Sequence, residues 1–320
     1  MKYNNKKVNK RNWKKINYAK TKQIEILINK EVFSLEKQRL LSMNKNKKGR
    51  KFQYSDDIIE LLIDFKNYFK MDYRKLQAFC LLFFTKIIII KVPDYTTIAR
   101  RMNKLELILK NVKRKTKATF NAIDASGMNK TDRGEWLRYK HKDGKITIRN
   151  GFIKMVFSVN VKSGEITAVK VIDDTVHEGK VFKDVLEQTI KTQNQPIKAI
   201  FGDGGYDWYE NFEILKDMDI EQIIRIRKNA ITNEPEDNSY RKRRRKAITK
   251  MRRTEVATEQ LKDQEKWMKK NKYNKRWTVE YTFSAFKRLF GQAVYTKTKK
   301  NVNNEIISKV NLYNKLKNIC

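Results

Sequence analysis

ATFNAIDASG, residues 118–127, is where the periodicity of the chain changes. Upstream, apolar residues recur every three or four positions. In SDDIIELLIDFKNYFK (55–70) a serine N-cap precedes acids in the first helical turn. From Thr119 they alternate, which is the two-residue period of a half-buried strand, and this strand ends in small residues around Asp124. Downstream, NGFIKMVFSVNVKSGEITAVKVIDD (150–174) reads as a hairpin turned at KSGE, and HEGKVFKDVLEQTIK (177–191) as a helix. PIKAIFGDGGYDW (196–208) is a buried strand running into a glycine-rich turn at Asp203. A helix over about 207–217 and a strand over 220–228 follow. A polar, basic stretch, 229–272, contains RKRRRKAITKMRR; two further helices close the chain, the last Lys/Asn-rich and amphipathic. Hairpin, helix, strand, helix, strand, insertion and helix describe a mixed α/β domain.

Upstream of Thr119 the reading is all-helical. Residues 1–50 form a basic Asn/Lys-rich arm and one amphipathic helix within QIEILINKEVFSLEKQRLL. YRKLQAFCLLFF (73–84) continues with a helix, and KVPDYTTIARRMNKLELIL (91–109) brings a turn at Pro93 and Asp94. A threonine caps the next helix there, with Arg100, Arg101 and Lys104 in its first turns. A short turn before a basic helix outlines a helix-turn-helix DNA reader, an outline that many other helical domains share. The expected plan is therefore an arm and helix over 1–50, a helical, helix-turn-helix-like domain over 51–117, and an α/β domain over 118–320 with a basic insertion at 229–272.

Charge bounds the partners. Lys and Arg number 73 against 36 Asp and Glu, a net charge of +37, which calls for a polyanion, most simply nucleic acid. With 40% hydrophobic and 11% aromatic residues the chain can bury a core, so global disorder is excluded. Two cysteines (Cys80, Cys320) and two histidines (His141, His177) rule out a disulfide framework and Cys- or His-based metal sites. Any metal would be a hard cation held by carboxylates. The N-terminus lacks the apolar stretch of a signal peptide, and AFCLLFFTKIIII (78–90) is too short to span a bilayer and contains Lys86. It reads as a buried helix or strand, and the chain as a cytoplasmic protein in contact with nucleic acid, without a membrane partner.

One helix carries an unexpected carboxylate. In YNKRWTVEYTFSAFKRLFG (273–291), Val279, Phe283, Phe286 and Phe290 fall within roughly 60° on a helical wheel and form a core stripe. Tyr273, Arg276, Glu280 and Lys287 fall within a second arc of roughly 60° beside it. Asp124 and Asp203, each at a strand end, would converge at one sheet edge, where α/β sites form. Glu280, on a helix packed against that sheet, can add a third carboxylate. Three such groups make chemical sense around one or two divalent cations acting on a phosphodiester. Simpler readings exist: an Arg276–Glu280 surface pair, Asp207 in place of Asp203 or as a helix cap, and a solvated turn at Asp173 and Asp174. His177 reads as a local hydrogen-bonding residue at a helix start. Trp208, Trp267 and Trp277 suit either base stacking or packing.

The spacing Tyr273-x2-Arg276-x3-Glu280-x6-Lys287 resembles the Y-R-E-K signature of D-D-E insertion-sequence transposases, the group that includes insertion sequences four and five. GDGGYD resembles the D-x-G-Y segment around that family's second aspartate, and AIDASG the segment around its first. GEW (134–136), SGEITAV (163–169), the pair His177–Glu178 and PDYTTIARR (93–101) extend the likeness from about residue 50 to the end. The resemblance implies a ribonuclease-H-like mixed-sheet core behind an N-terminal all-helical domain. It implies Asp124, Asp203 and Glu280 as catalytic ligands of two Mg²⁺ ions, which Mn²⁺ can replace. It also implies Tyr273, Arg276 and Lys287 as contacts to the transposon end. Arg100, Arg101, Arg243, Arg244 and Arg245 are further candidate DNA contacts. The implied partners are double-stranded DNA, as terminal inverted repeats and target, and a second copy of the chain in a homodimer. The implied reaction frees 3′-hydroxyls at the ends and joins them to target DNA. The short polar insertion shows no strands, unlike the β-rich insertion of some relatives. Competing readings are a DNA-binding descendant whose chemistry is lost and, from charge alone, a structural RNA-binding protein.

Overall fold

A computed structural model describes residues 12–28, 30–87, 91–111, 118–130, 136–140, 144, 146–193, 195–227, 257–296 and 298–318. Arg243, Arg244, Arg245 and most of the basic insertion lie outside the described residues, as do residues 1–11. The first elements are helical: α1 (Trp13–Leu27), α2 (Lys30–Ser34), α3 (Glu36–Asn44), α4 (Asp56–Tyr68), α5 (Tyr73–Ile87) and α6 (Tyr95–Lys104). Ser55 caps α4 as its sequence position requires, accepting the Ile58 N–H on its hydroxyl. The cap of α6 is Asp94 rather than a threonine; its carboxylate accepts the N–H and hydroxyl of Thr96. Arg101 and Lys104 stand in the last turn of that helix, not the first. The apolar run becomes α5, with Leu76 and Cys80 buried but Leu82 and Phe83 largely exposed.

The sheet elements are β1 (Thr119–Lys130), β2 (Trp136–Lys140), β3 (Ile146–Asn150), β4 (Phe152–Asn160), β5 (Ile166–Asp173), β6 (Ile197–Gly202), β7 (Glu221–Ile224) and β8 (Ala293–Val294). They alternate with α7 (Phe182–Gln193), α8 (Tyr209–Asp217), α9 (Ala257–Lys270), α10 (Trp277–Phe290) and α11 (Lys299–Lys317). Strand order is β5-β4-β1-β6-β7. β5, β4 and β1 pair antiparallel, whereas β1, β6 and β7 pair parallel. This mixed order is that of a ribonuclease-H-like core. The insertion ends in the helix α9, which sequence periodicity had not separated from the polar stretch.

Two-residue alternation sends neighbouring side chains to opposite faces. Ala122, Phe157 and Phe201 join a core with α10 and α11, while Ile123, Val156 and Ile200 join one with α7 and α8. The first core also takes in Ile59, Leu62, Phe65, Leu76 and Ile98 from the helical region. One continuous apolar core therefore underlies both the sheet and the helices before it. At its centre is α11, the expected Lys/Asn-rich closing helix, buried along most of its length. Its polar residues are ties. Asn304 donates to the carbonyls of Met102 and Leu105, Asn311 to that of Ile108, and Asn314 binds both backbone groups of Ile166 at the edge strand. Buried amides bonded in this way avoid the desolvation penalty that excludes them from most cores.

Candidate active site

The strand carrying Asp124 does not end there; β1 runs six residues further, held by β4 from Asn121 to Asn129. What ends is its other neighbour. β6 pairs with β1 only as far as Ala122, and β8 begins at Asn129. Among the described residues, positions 123–128 have no strand on that edge. Asp124 and Ser126 share the parity of Ala122, so they face α10 across this notch. Asp203 follows directly after the last residue of β6, Gly202, and its charge acts on Asp124. There Asp203 caps a short 3₁₀ turn, Gly204–Tyr206, its Oδ1 accepting the Gly205 N–H at 2.8 Å.

Glu280 reaches the notch from α10. The apolar stripe Val279, Phe283, Phe286 and Phe290 is buried, which seats the helix on the sheet, and Gly291 ends it at φ +85°. Arg276 connects the carboxylates: its guanidinium donates to Asp124 Oδ2 at 3.0 Å and to Glu280 Oε1 at 2.5 Å. Asp124 is enclosed, whereas the Glu280 side chain is half exposed. Burial pushes the Asp124 carboxyl up to about 6. The neighbouring Asp203 and Glu280 charges push the same way, against the Ala125 N–H and Arg276. A divalent cation would relieve both the burial penalty and the repulsion, and carboxylate oxygens are the donors that hard cations take. The donor set thus fits Mg²⁺ or Mn²⁺ in kind. Among the described residues, however, no three acidic, histidine or cysteine side chains stand close enough to enclose an ion. Arg276 is the cation between Asp124 and Glu280.

The other predicted residues are dispersed more widely. Lys287 comes to the notch, its Nζ donating to Ser126 Oγ at 2.7 Å, and burial lowers its pKa. Tyr273 is buried in a 3₁₀ turn before α10; its hydroxyl donates to the Gly202 carbonyl at 3.0 Å, and burial raises it to about 12. It braces α10 against the end of β6. Arg100 is exposed on α6, while Arg101 bonds Asp56 and the Tyr54 carbonyl and ties α6 to α4. Asp207 is buried and accepts the Arg227 N–H at 3.0 Å. His177 caps the 3₁₀ turn before α7, its Nδ1 accepting from Gly179. Asp173 pairs with Lys299 at 3.5 Å. Trp208 donates to the Gly205 carbonyl, Trp267 packs on Tyr273, and Trp277 is exposed on α10.

Two neighbours of Asp203 had no assigned role. A Cβ on Gly205 would lie 2.7 Å from Glu178 Oε1 and 2.9 Å from Asp203 Oδ1. The Glu178 and Asp203 carboxylates therefore close over Gly205, and a side chain there would have to displace them. The sequence signals were the His177–Glu178 pair and the second glycine of GDGGYD; neither by itself places Glu178 beside Asp203.

A family model described as "Transposase DDE domain" matches residues 115–315, more than half of the chain. A second model with the same description matches residues 20–133. Among solved structures, the chain is similar to the Drosophila P element transposase strand transfer complex at 13% identity, with a TM-score of 0.35. That match covers 64% of this chain and spans 47% of the length of the other.

Proposed function

The chain belongs to the transposase DDE-domain family, and from that premise we propose that it cuts DNA at the ends of its own mobile element and joins the freed 3′-hydroxyls to target DNA. One observation carries this reading. Asp124 on β1 and Glu280 on α10 share the guanidinium of Arg276 beside the notch, and Asp203, just past the end of β6, lies close enough for its charge to act on Asp124. Divalent-metal dependence is general in the family. Asp124, Asp203 and Glu280 would hold two such ions, Mg²⁺ or Mn²⁺, whose chemistry when bound is to activate an attacking oxygen and stabilise the leaving one.

The remaining roles fall to the chain itself. Burial raises the Asp124 carboxyl, and Arg276 pairs with it until the site is loaded. Once released, Arg276 is free to grip a phosphate with two donors. Lys287, half-buried beside Ser126, offers a second positive charge to the strand near the notch. We assign Tyr273 to positioning α10 beside the DNA end. Duplex DNA outside the notch is held by Arg100 on the helical domain over 51–117, where Arg101 serves instead to tie α6 to α4, and by Arg243, Arg244 and Arg245 in the insertion of the catalytic domain over 118–320. Among the described residues no helix is long and apolar enough to cross a membrane. We place the working protein on the nucleoid in the cytoplasm, as a homodimer on paired ends.

The test incubates purified protein with DNA carrying the sequence that flanks its gene, with Mg²⁺, Mn²⁺ or EDTA, and maps 3′ ends at nucleotide resolution. Wild type should nick at inverted-repeat boundaries only with metal. Glu280→Gln should bind the same DNA and lower cleavage by at least about 10³-fold, the scale of losing a group that acts in the transition state. Binding without cleavage by either protein would overturn the proposal in favour of a DNA-binding protein that has lost its chemistry.

A further inference from the structure

A groove lies behind α10. At about 100° per residue, Ala285 and Leu289 stand roughly 140–180° around that helix from Glu280, so the groove faces away from the notch. It encloses about 380 Å³, a volume within the range of ligand pockets. Its floor is apolar, made by Ala285 and Leu289 of α10 with Tyr313 and Leu316 of α11. Its rim is basic, with Lys20 of α1, Arg288 and Lys317, and among the described residues no acid lines it. Lys20 donates to the neutral Gln23 Oε1 at 3.0 Å, which leaves its charge uncompensated. Lys70, after α4, donates to the Arg288 carbonyl at 3.2 Å and brings a fourth cation to that end of α10. The cavity between β5, α7 and α11 is the contrast: two of its three lysines are paired, Lys170 with Asp184 and Lys299 with Asp173.

The same surface extends beyond the groove. Trp13, Ile16, Lys20 and Gln23 follow one another at steps of three, four and three residues, which is one face of α1. Trp13 is 61% exposed and Ile16 38%, so the face that lines the groove continues into an uncovered indole, about 10 Å from Lys20 at 1.5 Å per residue. Uncompensated cations call for a polyanion, and apolar and aromatic surface beside them calls for one that shows its ring faces. Duplex DNA keeps those faces stacked inside. A single strand presents them, one with each phosphate. We propose that this face of α1 and the groove behind α10 bind single-stranded DNA, with bases stacked on Trp13 and against the groove floor and with phosphates on Lys20, Arg288 and Lys317. The proposal rests on the chain acting on DNA and needs neither the notch nor a bound metal.

The experiment reads fluorescence anisotropy of a labelled oligo-dT strand and of a labelled duplex hairpin, in EDTA at several salt concentrations. It compares wild type, Trp13→Ala, Trp13→Phe and Arg288→Ala. Both positions are exposed, so melting temperatures should match wild type. Trp13→Ala should weaken single-strand binding about 5–150-fold, the range for losing one stacked base, with duplex affinity unchanged. Trp13→Phe should keep most of the single-strand affinity, because it keeps a ring face. Arg288→Ala should reduce the steepness of the single-strand salt dependence by about 0.7, one phosphate contact. Single-strand affinity unchanged in both alanine variants, or lost in equal proportion for strand and duplex, would overturn the proposal and leave the DNA-acting premise standing. Wild type that binds neither DNA would remove that premise, and the proposal with it.

Discussion

Arg276 has a side chain only 15% exposed, and its planar fork bonds two carboxylates from different parts of the chain. Removing it leaves Asp124 enclosed with no cation beside it. In EDTA at neutral pH, Arg276→Ala should lower stability by about 1–3 kcal/mol, the range for stranding a partly buried charged partner. The half-exposed Glu280 adds little to that figure, because water screens it. Arg276→Lys should recover only part of the loss, since an ammonium cannot span both acceptors. Urea denaturation reads this directly. Saturating Mn²⁺ should then stabilise Arg276→Ala more than wild type, because the ion takes the place the guanidinium held. Equal gains in the two proteins would mean that Arg276 and the cation do not compete. The four-residue spacing of Arg276 and Glu280 is visible on a helical wheel. The bond from Arg276 to Asp124 is not, because it joins residues 152 apart that only the closed sheet brings together.

At the scale of elements, α10 was legible because its core stripe is made of large apolar residues at helical spacing. Phe286 is fully buried, stacked edge-on to Phe157 and Phe290 and tilted against Tyr313. Phe286→Ala should cost about 3–5 kcal/mol through lost burial and the cavity left behind. Tyr281→Ala, at a 71% exposed position on the same helix, should change stability by less than about 0.5 kcal/mol. Comparable losses from the two substitutions, measured by chemical denaturation, would mean that α10 does not rest on the sheet by its phenylalanine stripe. The closing helix α11 was legible as a helix, but its burial was not, for an equally physical reason. Its asparagines and lysines look solvent-facing because hydropathy records the residue and not its partner. In the folded chain Asn304, Asn311 and Asn314 bond loop and edge-strand backbone brought in from elsewhere in the sequence. The end of β1 was misjudged similarly: small residues after Asp124 suggested a stop, whereas pairing with β4 carries the strand on past the loss of β6.

Across the whole molecule, the order of strands and helices followed from periodicity, and the place of Asp203 followed from the glycine-rich turn after it. The joint between the helical region and the sheet did not, because beside the shared apolar core it contains a buried ionic cluster whose partners lie far apart in sequence. Glu305 on α11 accepts from Lys309 at 2.7 Å, from the Tyr295 and Thr296 N–H groups and from the Thr296 hydroxyl. Burial alone would raise its pKa, but Lys309, Lys66 of α4 and these hydrogen bonds outweigh it and hold the carboxyl below its ordinary value. A carboxyl depressed in the folded state contributes stability above its unfolded pKa, near 4.5, and loses it as pH falls through the folded value. Glu305→Gln strands the buried Lys309 and should cost about 3–5 kcal/mol at pH 7. The gap between wild type and variant should then narrow as pH is lowered below about 4.5. Because Lys66 belongs to the helical region and Lys309 to the helix under the sheet, both parts should weaken together. Tryptophan fluorescence and far-UV circular dichroism should report one coincident urea transition in each protein. A gap independent of pH would show that charge at Glu305 is not what joins them, and two separated transitions would show that the shared core does not unfold as one unit.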